Sequence, residues 1–508
     1  MKLGLVWSIA SMIIGAIGSL IVTPVLIHTL GSVEFGLYIL VLTVTSYAGF
    51  LDFGITWAAT RYFAGDIASG RSLDLSSRFY TLAYFLCGVG IFSTLLATLL
   101  GPALVRAAGA AGSGKLALVF FLAAISFGFS LQAGLLTSLL RADQRFDQAG
   151  RVAVVGSFLL PLGCYAAARL SPGLISLLAV TAGVNLIGML LVFIVARPKL
   201  SLVRGITHWQ PRYLYEMASF GGWSTIGRLV MLIMLQADRL AVALVGSVSS
   251  LTFYAVPANI ASRVNTLGGA TSSLFFSRVS LLHSGGQSAE LRAQHASMRR
   301  LLIWSTLAAA IPLLILGPDF LHEWIGSEMA GEGGAILRAF TVGYAIIAVT
   351  SPDGAVLEGC GRPDLTAKAM LAWGAVSIAG VVAFAPSLGA QAIAYGVASW
   401  LTGLGITNAV MARRLALGAP RGARGYFIFG GALLSVGVAV FTGSLLRPLI
   451  HDLQSGLLAI AAMSAASLAV GFFSILAADE RQIFFQILKR VRRIGYATAD
   501  ESDGKAEC

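Results

Sequence analysis

Apolar runs of about twenty residues or more recur along the chain, parted by short segments that hold most of its charge. A helix needs about 20 apolar residues to cross roughly 30 Å of hydrocarbon. On that measure spans fall near 5–30, 36–60, 79–105, 116–140, 152–169, 174–196, 217–245, 251–277, 301–317, 337–358, 368–386, 389–412, 425–446 and 455–477. The pattern predicts an all-α polytopic membrane protein with about fourteen transmembrane helices. The spans near 36–60 and 251–277 are the least apolar. The run from Leu5 to Leu30 exceeds the 7–15 apolar residues of a signal-peptide core, so it reads as a permanent span.

Composition agrees. Hydrophobic residues make up 57% of the chain and charged residues 11%, against about a quarter charged in soluble domains. The net charge of +12 suggests a nucleic-acid partner only until its distribution is read, because no basic cluster sits on a soluble module. With the N-terminus placed in the cytoplasm, 27 of the 35 Lys and Arg fall on cytoplasmic segments, as the positive-inside rule requires. Five lie on the opposite side, and three, Arg228, Arg239 and Arg263, lie inside spans. Beyond the last span, 479–495 reads as an amphipathic helix with Phe484, Phe485, Leu488 and Val491 on its apolar side. Such a cationic helix suits the cytoplasmic membrane interface as an anchor.

The charges within spans are the candidate chemistry. One cation at the bilayer centre costs about 2.5–3.5 kcal/mol on insertion scales, so several must line water or pair with one another. Asn259 and Arg263 are four residues apart on one helix face, and Arg228 and Arg239, eleven apart, share another. Thr45, Asp52, Thr56 and Thr60 make a polar stripe in the second span, and Asp238 and Asp353 complete the set. One reading is a water-filled cavity whose guanidinium groups hold an anion such as phosphate. The other is a set of buried ion pairs that fix helix packing. Asp52 and Asp353 fit a coupling-ion site or a packing partner equally. Pro24, Pro161, Pro257 and Pro352 fall inside spans, where each removes a backbone hydrogen bond and can bend the helix.

Enzyme motifs fail on inspection. The string GAAGSGKL at 109–116 puts Leu116 where a phosphate-binding loop needs Ser or Thr. His28, His208, His283, His295, His322 and His451 lie in loops or at span ends without ligand-like spacing, which suits interfacial histidines. Four cysteines form neither a disulfide framework nor a metal motif. No cofactor is expected.

Two segments resemble each other: LGSVEFGLYIL at 30–40 and VGSVSSLTFYAV at 245–256, with Gly31 matching Gly246. Each lies between a long span and a more polar one, and each polar span ends in an arginine, Arg61 or Arg278. The match fits two six-span halves of one orientation, a transporter architecture with its site between the halves; chance likeness of apolar segments is the alternative. The expected divisions are an N-terminal lobe at 1–200, a second lobe at 201–415, two further spans at 416–477, and the helix and tail at 478–508.

The opening stretch also resembles a known family. Pro24, Leu30-Gly31, Phe35-Gly36-Leu37-Tyr38, Asp52-Phe53-Gly54 and Arg61-Tyr62, with Asp238, Gly246 and Tyr254 later, are similar to polysaccharide flippases of the multidrug/oligosaccharidyl-lipid/polysaccharide exporter superfamily. The resemblance covers about the first 65 residues and 235–280. It implies a V-shaped pair of six-helix lobes with two C-terminal helices added. It also implies alternating access for an undecaprenyl-pyrophosphate-linked oligosaccharide, carried from the cytoplasmic to the periplasmic leaflet of a bacterial inner membrane. Arg263, Arg228, Asn259, Arg61 and Arg239 are then the candidate substrate-binding residues, and Asp52, Asp238 and Asp353 the candidate ion-coupling ones. Membrane lipids, a polysaccharide polymerase and glycosyltransferases are candidate partners; nucleic acid is not, and a monomer is expected. Related lipid II flippases carry arginines in their first span, whereas this chain has none between Lys2 and Arg61. A cation-coupled exporter of small amphipathic molecules is the competing reading; cationic cargo would call for an acidic cavity.

Overall fold

The computed structural model describes residues 2–47, 55–107, 115–200, 209–219, 236–417 and 424–482. Every regular element among them is helical: α1 (Lys2–Ser46), α2 (Ile55–Ala68), α3 (Ser72–Ala107), α4 (Leu116–Ala142), α5 (Phe146–Leu170), α6 (Leu174–Leu200), α7 (Pro211–Ser219), α8 (236–245), α9 (Val248–Ser262), α10 (Thr266–Ser284), α11 (Ser288–Trp324), α12 (Ser327–Gly359), α13 (Pro363–Leu388), α14 (Ala390–Ala412), α15 (Arg424–Leu446) and α16 (Leu453–Ser474). Ten of the described helices are long and apolar enough to cross a membrane. Large apolar side chains remain exposed along them, such as Ile91, Leu95 and Leu99 on α3 and Val376 and Val382 on α13. A multi-pass membrane protein presents such surfaces to lipid, which needs no polar coat.

Two elements depart from the spans read off hydropathy. Helix α1 runs through the first span into the second, turning only at Gly31, whose φ of 79° lies in the left-handed region where a side chain would be strained. Along the eighth expected span the helix tightens: α9 ends at Ser262, a 3-10 turn occupies Arg263–Asn265, and α10 starts at Thr266, with Ser262, Asn265 and Thr266 all keeping right-handed helical angles.

The chain divides into two compact units. The first comprises Met1–Pro257 and Met370–Val397. Its core joins Ala59 and Phe63 of α2, Leu82 and Leu86 of α3, Leu135 and Leu139 of α4, and Ala196 of α6. Within it the two similar segments pack on each other. The Thr252 hydroxyl donates to the Ser32 carbonyl at 2.7 Å, and a Cβ on Gly36 would stand 2.0 Å from the Val248 carbonyl oxygen. The second unit comprises Ala258–Ala369 and Ala398–Cys508. Phe275 and Val279 of α10, Leu291 of α11 and Val356 of α12 form one cluster there. Ile311 and Leu316 of α11 meet Ala439 of α15 and Met463 of α16 in another, and Trp304 donates its indole N–H to the Leu468 carbonyl at 2.8 Å.

Candidate functional site

Arg263 opens the 3-10 turn between α9 and α10. The Thr266 N–H bonds to the Arg263 carbonyl in the 3-10 turn. Arg263 and Asn259, four residues earlier, are both exposed. Neither α9 nor α10 is among the ten helices long and apolar enough to cross a membrane, and an exposed guanidinium there meets water or an anion at far lower cost than hydrocarbon. Directly after the turn, α10 lies tight on α12: a Cβ on Gly268 would come within 2.8 Å of the Ala348 Cα.

The acidic candidates differ in kind. Asp238 is buried and fully occupied: Oδ1 accepts the Arg239 N–H at 2.7 Å, and Oδ2 accepts the hydroxyl of the wholly buried Tyr254 at 2.7 Å. It ties α8 to α9. Asp353, in α12, has no exposed surface. His295 Nε2 lies 2.9 Å from its Oδ1 and Arg299 Nη1 lies 3.7 Å from its Oδ2. Asp52 and Arg228 lie outside the described residues, as do the near P-loop at 109–114 and the amphipathic segment beyond Arg481-Gln482. Arg61 is placed in α2 by its backbone, and Arg239, partly buried, in α8.

Sequence reasoning missed two clusters. His295, read as an interfacial histidine, is buried against Asp353. The two lie 58 residues apart in different spans, so no local spacing could flag the pair. The other cluster ties down α7. Arg78 makes two hydrogen bonds to the buried Asp66, at 2.9 and 3.0 Å, and reaches Glu216 at 3.3 Å. The rings of Tyr62 and Tyr213 face its guanidinium at 5.0 and 4.8 Å. Burial pushes the Asp66 carboxyl up, and Arg78 beside it pulls back. Among the described residues no group of three or more His, Cys, Asp or Glu could hold a metal.

These features define a class: a many-spanned helical membrane protein with charged residues set in and beside its spans. Its fold is that of solved transporters. It is similar to a lipid II flippase, MurJ, in an inward closed conformation, with a TM-score of 0.64 and 14% identity over 95% of this chain and 99% of that one. It is also similar to an inward-facing multidrug resistance MATE family transporter of the MOP superfamily, with a TM-score of 0.60 and 13% identity over 80% of this chain and 97% of that one. A Shigella flexneri protein assigned as an O-antigen transporter is 22% identical over 367 residues, 69% of this chain and 84% of that protein. The polysaccharide biosynthesis protein family matches residues 25–318, more than half the chain, and the protein belongs to that family. The family and its structural neighbours are transporters rather than enzymes.

Proposed function

We propose that the protein is a flippase that carries an undecaprenyl-pyrophosphate-linked oligosaccharide from the cytoplasmic to the periplasmic leaflet of the bacterial inner membrane by alternating access, for polysaccharide biosynthesis. The observation that carries this reading is Arg263: an exposed cation in the 3-10 turn between α9 and α10, where the sequence pattern places a span. A guanidinium offers a planar fork of donors that matches phosphate oxygens and keeps its charge at any working pH. Asn259 beside it adds an amide suited to sugar hydroxyls or phosphate. Arg228, Arg239 and Arg61 complete the proposed substrate-binding set.

In this reading, lobes at 1–200 and 201–415 rock about the site, with 416–477 as two appended spans and both termini in the cytoplasm. An ion gradient or the membrane potential drives the cycle, with Asp52, Asp238 and Asp353 as candidates for coupling. Family membership and the Shigella flexneri relative support a lipid-linked glycan as cargo. A polysaccharide polymerase and glycosyltransferases are the proposed partners, with the protein itself a monomer. A carrier of cationic drugs fits less well, because its cavity would need acidic groups where Arg263 is exposed.

The test is translocation of a fluorescent undecaprenyl-pyrophosphate glycan in proteoliposomes of the full-length protein. Arg263→Ala should slow it at least about tenfold, the loss of one charged hydrogen-bonded contact. Arg263→Lys should fall between, since a point charge replaces the fork. Wild-type rates in the Arg263→Ala protein would remove this residue from the site.

A further inference from the structure

Asp353 is a wholly buried carboxylate with only one oxygen hydrogen-bonded. His295 Nε2 serves Oδ1 at 2.9 Å. Arg299 faces Oδ2 at 3.7 Å, near enough to attract it and too far for a hydrogen bond. A buried carboxylate oxygen left in that state is costly, and a proton or a closer cation would relieve it.

The surroundings add charge of one sign. From α11 come His295 and Arg299. From α10 the Phe275 ring lies 6.3 Å from the His295 ring, while Arg278, further along α10, reaches Glu290 and Gln294 on the exposed side. From the turn after α14, Arg413 adds a second positive charge that acts on Arg299. Asn408 of α14 stands beside Gly354, and its buried Oδ1 has no hydrogen-bond partner among the described residues.

We infer that Asp353 and His295 form one proton-binding site, whose occupancy governs the hold of Arg299 on α12. With His295 neutral, its N–H donates to Asp353, and the aspartate and Arg299 charges cancel. A proton taken from water raises the cluster by one positive charge, whichever of the two partners carries it. The net pull of the pair on Arg299 then weakens, either because Asp353 is neutral or because a charged His295 opposes it, and Arg413 repels Arg299 in both cases. Asp238 does not meet these conditions, since both its oxygens already hold donors.

The site is connected to the 3-10 turn before α10. Pro352, just before Asp353, supplies no N–H for the Ala348 carbonyl, and the Ser351 hydroxyl stands 2.9 Å from that oxygen instead. The same hydroxyl lies 3.0 Å from the Gly268 carbonyl, and Ser272 donates to the Ser351 carbonyl at 3.2 Å. Helix α10 is thus stitched to α12 through Ser351, next to Pro352 and two residues before Asp353, and α10 begins at the Arg263–Asn265 turn. A proton at Asp353 and His295 therefore bears on the backbone that sets Arg263. This role in transport rests on the flippase reading; proton binding itself does not.

Two measurements on the full-length protein separate the claims. In nanodiscs with ¹⁵N-labelled histidine, the His295 side-chain resonances, assigned by His295→Gln, should shift reversibly when the buffer is stepped between acid and alkaline pH. Asp353→Asn should change the size of that response over the same step, because the two groups share the proton. A response that Asp353→Asn leaves unchanged overturns the site. In proteoliposomes, the ratio of glycan translocation with an imposed pH gradient to that without should exceed one for wild type and fall to one in both His295→Gln and Asp353→Asn. A merely structural pair would lower both rates and leave the ratio intact, which would overturn the coupling. Wild-type vesicles that move no glycan would sink the flippase reading alone, and the histidine response would then decide the proton site.

Discussion

Arg78 shows how one side chain can hold a connecting helix in place. It neutralises Asp66, reaches Glu216 in α7, and lies between two tyrosine rings, one of which, Tyr213, donates its hydroxyl to Asp74 at 3.0 Å. Removing one partner of a buried pair costs about 3–5 kcal/mol, because the other charge is stranded. Arg78→Ala should therefore lower unfolding stability in detergent by an amount of that order. The loss should depend on pH in a definite direction. Burial already raises the Asp66 carboxyl, and Arg78 is the strongest pull in the other direction, so without it the stranded group takes up a proton as pH falls. The variant should be markedly nearer wild-type stability at pH 5 than at pH 8, measured by thermal unfolding at both. At this scale the sequence was only partly legible. Arg263, Asn259, Asp238 and Asp353 announced themselves as polar groups in apolar surroundings, a signal carried by each residue alone. Arg78, Asp66, Tyr213 and His295 did not, because their meaning comes from partners on other helices and a linear pattern holds no trace of that pairing.

The helices themselves were legible because lipid demands long, uncharged, internally hydrogen-bonded segments, and hydropathy reads that demand directly. Their interruptions were less so. A prediction of continuous spans passes over the turn at Gly31 and the 3-10 turn at Arg263–Asn265, since neither changes local hydropathy. Close helix contacts also leave little mark beyond a glycine among many. Gly36 is such a contact, and two substitutions test it. Gly36→Ala would set a methyl group 2.0 Å from the Val248 carbonyl oxygen, a backbone atom that cannot swing aside. Overpacking of this kind costs about 1–3 kcal/mol. Gly65→Ala, in α2 with nothing within 4 Å of the added carbon, should be neutral or stabilise by about 0.5–1 kcal/mol. Thermal melts of the two variants should move in opposite directions or at least differ by that sum; equal melts would show that the Gly36 contact gives way freely.

Across the whole molecule, the cationic segments that the sequence assigns to one face include the start of the C-terminal region. Glu480 is held there by Arg300, with Nε 3.0 Å from each carboxylate oxygen, by the Ser297 hydroxyl, and by the Ala477 N–H at 2.9 Å. Burial, the largest single influence, would raise this carboxyl, yet these donors together hold it below the usual range for glutamate. A depressed carboxyl contributes stability above its unfolded value, about 4.3, and loses it only as pH falls through the lower folded value. Limited trypsin digestion at Arg481 should accordingly be slow and equal at pH 6 and pH 8 in the native protein, and several-fold faster at both in Glu480→Gln. The contact between the two similar segments carries a longer consequence. Counted by the offset that aligns Gly31 with Gly246, Val248 corresponds to Val33 and Thr252 to Leu37. The contacts are then 36 with 33 and 32 with 37, pairs that nearly exchange when the copies are swapped. The two segments therefore meet in a nearly reciprocal way, as an isologous contact does, and a substitution in either is answerable to the other.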